Sequence, residues 1–80
     1  MENKRPIDVL DKSKGKRVMV KLKNGNVING VLEALDMHLN LWLSDAEITD
    51  DEGIKKMGDM LVRGDTIVYA SPEEEITKSK

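Results

Sequence analysis

The chain reads as a mainly β domain: a short N-terminal helix followed by a five-stranded, strongly bent antiparallel sheet closing toward a small open barrel. Three features point there. Apolar and polar residues alternate along several short segments, as strands with one wet face require. An Asn24-Gly25 pair separates the first two of them, the dipeptide most typical of a hairpin turn. A glycine, Gly30, interrupts the longest segment near its middle, where a bend or bulge is expected.

The elements follow in order. Pro6 suits a first helical turn, Asp8 places an acid early in it, and Ile7 and Leu10 share one face, so a short helix begins here and ends near Gly15. Arg17 to Lys23 alternates, with Val18, Val20 and Leu22 on the inner side. Asn24-Gly25 then reverses the chain, in a turn whose two central residues both need positive φ. The return strand runs from Val27 to Leu35 through Gly30. Leu39, Leu41 and Leu43 alternate with Asn40, Trp42 and Ser44 in a third strand that extends toward Ile48. Thr49 to Gly53 reads as an acidic loop. Two last strands, Met57 to Arg63 and Thr66 to Ala70, are separated only by Gly64-Asp65. Residues 1–72 form the domain, and the polar stretch 73–80 reads as a mobile tail.

A chain of 80 residues buries only about 60% of the surface its unfolded form exposes. The core is therefore thin, and its only aromatic residues are Trp42 and Tyr69. Without cysteine, neither disulfides nor a thiolate zinc site can reinforce it. Exposed sheet edges and a thin core together favour self-association. No apolar run approaches the roughly 18 to 20 residues of a membrane span, and the first residues lack a signal-peptide pattern, so a cytoplasmic protein is expected.

The net charge of −2 argues against a partner held by bulk attraction to phosphate. Its distribution is uneven. Residues 1–25 carry eight Lys or Arg against three acids, a balance of +5, whereas residues 26–80 carry five against twelve, a balance of −7. An electrically two-ended molecule results, although ordinary solvated surface gives the same numbers.

Catalysis is not expected. His38 is the one histidine, no serine sits in a nucleophile context, and no His-x-x-x-His or comparable ligand pair exists. No cofactor and no metal are implied. Two clusters stand outside the strand pattern: Asp36-Met37-His38-Leu39-Asn40, and Arg63-Gly64-Asp65. Imidazole and guanidinium planes can sandwich an unstacked base, and an asparagine amide can pair with its edge. Plainer roles are equally open on chemistry alone: Asp36 and Asn40 as loop-forming residues, His38 as a turn cap, and Arg63 paired with Asp65.

At these positions the sequence resembles the Sm-like (Lsm) family of archaeal type, from Arg5 to Pro72. Its first motif is matched by Lys23-Asn24-Gly25, Gly30, Leu32, Asp36, Asn40, Leu41 and Leu43. Its second is matched by the run from Leu61 to Tyr69. The resemblance implies a helix on a bent five-stranded sheet of SH3-like type, with strand four of one subunit pairing with strand five of the next in a homo-oligomeric ring. Seven members are favoured, with six as the alternative. It further implies a pore site for uridine-rich single-stranded RNA, acting as scaffold or chaperone in RNA metabolism. There, His38 and Arg63 would stack on the base and Asn40 would bond its edge. Asp65 would hold Asn40 or touch the nucleotide, Gly64 would let the backbone approach, Asp36 would shape the loop, and Arg5 would add a secondary contact. The competing expectation is a small barrel that assembles proteins without base preference.

Overall fold

A computed structural model describes residues 6–72; Arg5 and the stretch 73–80, and with them the expected tail and secondary contact, lie outside the described residues. The order is α1 (Pro6–Asp11), β1 (Arg17–Leu22), β2 (Val27–Leu35), β3 (Leu41–Asp50), β4 (Gly53–Val62), a 3-10 turn (Gly64–Thr66) and β5 (Ile67–Pro72). The strands form one antiparallel sheet in the order β4-β3-β2-β1-β5, leaving β4 and β5 as its edges.

Alternation explains the inner face. Val18, Val20, Ile28, Leu32, Leu41, Leu43, Ala46 and Val62 point inward and are buried together, and α1 contributes Leu10 to them. After α1 the chain turns through Gly15, whose φ of 84° is open to glycine at no steric cost. The Gly15 N–H donates to the Leu32 carbonyl at 2.8 Å, tying this turn to β2.

The bend occurs where Gly30 predicts it. The β2–β3 register shifts between Asn29 and Val31, and a Cβ at Gly30 would lie 3.1 Å from the Leu43 Cβ and 3.2 Å from the Ala46 Cα. Only a missing side chain lets β3 close down on β2 at this point.

Four local expectations are corrected. In the β1–β2 hairpin Gly25 alone takes positive φ, at 95°. Its N–H donates to the Leu22 carbonyl and the Leu22 N–H to the Asn26 carbonyl, both at 2.9 Å, giving a three-residue loop that ends in a glycine bulge instead of a two-residue turn with both centres left-handed. The Thr49–Gly53 segment is not a loop: β3 runs to Asp50 and β4 starts at Gly53, leaving only Asp51-Glu52 as the turn. Lys55–Asp50 and Lys56–Glu47 ion pairs, at 3.6 and 3.2 Å, make that acidic stretch compatible with a ladder. Leu39 stands outside β3 with a φ of 61°, and Thr66 belongs to the 3-10 turn instead of β5.

Substituting Gly30→Val should destabilise the protein by about 1–3 kcal/mol through overpacking against Leu43 and Ala46. Chemical denaturation would show this as a lower midpoint at unchanged slope; an unmoved midpoint would contradict the close approach.

Candidate nucleic-acid interface

The β2–β3 connection is built around one carboxylate. Asp36 Oδ1 accepts the backbone N–H groups of His38 at 2.9 Å and Asn40 at 3.0 Å, while its Oδ2 accepts the Asn40 Nδ2 at 3.0 Å. A short acid at the end of β2 thus organises the whole loop, the Asx behaviour expected of it. Leu39 supplies the reversal. It keeps its side chain packed against the core at the cost of a left-handed backbone, an arrangement worth about 1–2 kcal/mol of strain for a non-glycine residue.

Asn40 links this loop to the second one. Its Oδ1 accepts the Gly64 N–H at 2.8 Å, which leaves the amide oriented by a donor on one side and a carboxylate on the other. Gly64 packs so closely that a Cβ would collide with the His38 carbonyl oxygen and lie 3.0 Å from the Leu39 carbonyl. Glycine is needed here for space, not for a left-handed φ. The 3-10 turn is closed by Thr66, whose N–H and Oγ1 both donate to the Arg63 carbonyl, at 3.0 and 2.7 Å. The Lys23 N–H in turn donates to the Thr66 carbonyl at 2.8 Å, fastening the turn to the β1–β2 hairpin.

Direct contacts therefore bring together Asp36, His38, Asn40 and Gly64, and the exposed Arg63 and Asp65 flank Gly64 in the chain. Asp65 does not hold Asn40. It accepts from the Arg63 Nη2 at 3.0 Å, and Asp36 and Gly64 take the role expected of it, because their loop geometry already uses the Asn40 oxygen and one amide hydrogen. Sequence reasoning overlooked Thr66; the signal was its position three residues after Arg63, where a hydroxyl can close a turn on a carbonyl. No cluster of His, Cys, Asp or Glu among the described residues has the makings of a metal cage. No helix among them is long and apolar enough to cross a membrane.

What remains of Asn40 is chemically specific. An asparagine amide carries two acceptor lone pairs and two N–H donors; one of each is committed, so one of each is left, on a loop that also bears the exposed His38 and meets the loop bearing the exposed Arg63. A donor beside an acceptor matches the imide edge of a pyrimidine such as uracil.

Comparison with known proteins identifies the family. The model of the LSM domain family matches residues 8–72. An snRNP Sm-like protein of Thermococcus kodakarensis is 49% identical over 71 residues, covering 88% of this chain and 93% of that protein. One from Archaeoglobus fulgidus is 46% identical over 69 residues, covering 85% and 90%. Among solved structures, the P. aerophilum SmAP1 heptamer superposes with a TM-score of 0.84 at 38% identity, covering 91% of this chain and 99% of that one. The Pyrococcus abyssi Sm protein, solved in complex with a uridine heptamer, superposes with a TM-score of 0.81 at 41% identity, covering 88% and 100%. The chain belongs to the LSM domain family, the Sm-like proteins.

The Asp36 carboxyl is held below its usual range, first by the Asn40 side-chain amide and then by the Asn40 N–H; desolvation opposes them, and the lesser effects of the His38 N–H and the His38 charge add to the lowering. A lowered folded-state pKa stabilises the loop above the unfolded value and loses that effect as pH falls through the folded one. In an NMR titration the His38 and Asn40 amide protons should therefore shift with a midpoint below the ordinary aspartate value of about 3.9. A midpoint at or above that value would contradict the hydrogen-bond pattern.

Proposed function

We propose that this chain is a subunit of a homo-oligomeric ring, heptameric by preference, that binds uridine-rich single-stranded RNA at its pore and serves as a non-catalytic scaffold or chaperone of RNA in the cytoplasm. The observation that carries this reading is the Asn40 amide, fixed by Asp36 and Gly64 with one donor and one acceptor to spare. In the proposed complex the His38 and Arg63 planes stack on the base and Asn40 pairs with its imide edge. Asp65 steadies the Arg63 guanidinium, Gly64 lets the two loops meet, and Arg5 makes a secondary contact.

Ring closure is supported by the two sheet edges. Leu61 on β4 and Val68 and Tyr69 on β5 are exposed apolar residues, and a groove of about 410 Å³ lies along β5 between Leu10, Leu39, Ile67 and Tyr69. Pairing β4 of one subunit with β5 of the next satisfies the unpaired backbone groups and covers this apolar surface. The heptameric assembly of the P. aerophilum relative and the uridine heptamer bound by the P. abyssi relative support the same reading.

Fluorescence anisotropy with labelled oligo-U and oligo-A, with the solution mass taken on the same sample, tests it. A ring-sized species should prefer oligo-U, and His38→Ala, Asn40→Ala or Arg63→Ala should weaken oligo-U binding by about tenfold or more while leaving the mass unchanged, since a stacked base is worth about 1–3 kcal/mol per subunit and the ring repeats the loss. An intact ring that binds both RNAs equally, or neither, would assign the barrel to protein assembly instead.

A further inference from the structure

The chain passes from Asn40 directly into β3. Leu41 and Leu43 point into the core, so Trp42 between them points the other way, and it is 43% exposed. Cross-strand register sets Trp42 between Ala34 of β2 and Leu61 of β4, and Leu61 is 81% exposed. Arg63 follows Leu61 by two residues through extended backbone (φ −77°, ψ 135°), and Asn40 precedes Trp42 by two. Trp42 and Leu61 thus share the outer face of the sheet, and Asn40 and Arg63, just before β3 and just after β4, stand two residues away from them, roughly 6.8 Å along extended backbone.

A large, half-exposed indole on an open sheet face, one step from a site that grips a single base, has the properties of a stacking platform. We propose that Trp42 takes a second base of the same RNA strand, the nucleotide adjacent to the one at Asn40. This inference rests on the pore-site reading above and extends it by one nucleotide per subunit. The track ends there: Glu33, which accepts from the Ser44 Oγ at 2.6 Å, and the exposed Asp59 lie further along the same strands, and their charge opposes phosphate. Stacking tolerates any base, because each has a π-face, so Trp42 adds affinity and leaves uridine preference to Asn40.

Trp42 is the only tryptophan of the chain, so its emission reports on the site directly. Intact protein would be titrated with unlabelled oligo-U while tryptophan emission and its quenching by acrylamide are followed, alongside anisotropy of labelled oligo-U on wild type, Trp42→Leu and Trp42→Phe. The expected result is quenching that saturates with binding, protection of Trp42 from acrylamide, and a loss of roughly five- to a hundredfold in oligo-U affinity for Trp42→Leu at unchanged ring mass, largely restored in Trp42→Phe. Oligo-U binding that depends on His38 but leaves Trp42 emission and acrylamide access untouched would overturn the inference and spare the pore site; a Trp42 already shielded by a neighbouring subunit in the free ring gives that result. Absence of oligo-U binding altogether would remove the pore reading and this extension with it.

Discussion

Two loops far apart in the chain meet through a single hydrogen bond, from the Gly64 N–H to the Asn40 Oδ1 at 2.8 Å, and there is no space at Gly64 for even a methyl group. That close approach does several things together. It orients the Asn40 amide, keeps the His38 backbone against the second loop, and places Arg63 at the same edge of the site. Asp36 completes the arrangement from the other side with three hydrogen bonds. The strain accepted at Leu39, whose φ is 61°, is tolerated because the surrounding contacts over-determine it, as is common where a backbone serves a binding site.

The sheet exists to make this meeting happen. Register shifts in β2 and β3, with Gly30 beneath Leu43 and Ala46, bend the strands sharply enough to enclose a core of nine buried apolar residues among those described. So small a core leaves both sheet edges, β4 and β5, carrying apolar side chains outward. The same deficit that weakens the isolated subunit equips it to assemble. In the proposed ring, repetition would turn one weak base site into many, which would let a protein of net charge −2 hold a polyanion without a broad basic surface.

Much of this was legible from residues alone, and the reasons differ by position. Period-two alternation located the strands where one face is buried and the other wet; it missed the start of β4, which begins at Gly53 instead of Met57 and is exposed along its first seven residues. Gly30 gave the bend, since a glycine in a strand seldom has another purpose. Asp36 was visible as a loop-forming acid outside the strand pattern, and the role of Gly64 through the family resemblance. The misreadings share a cause: they concern how individual polar atoms pair. Asp51-Glu52 was read into a longer acidic loop because cross-strand lysine partners are invisible in a linear pattern. Leu39 continued the leucine alternation perfectly, yet loop closure by Asp36 forces it left-handed. Asp65 could have reached Asn40 by sequence proximity to Gly64, but it lies with Arg63 instead. Alternation marks Trp42 only as an outward residue; its nearness to Asn40 and, across the strands, to Leu61 emerges from register.

The most direct test of the central claim is a Gly64→Ala substitution, with oligo-U affinity measured beside the amide NMR spectrum. The added methyl group should part the two loops, shifting the His38, Leu39 and Asn40 amides and abolishing uridine binding while core amides such as those of Val20 and Ile28 stay in place. Uridine binding of wild-type strength in that variant would contradict it.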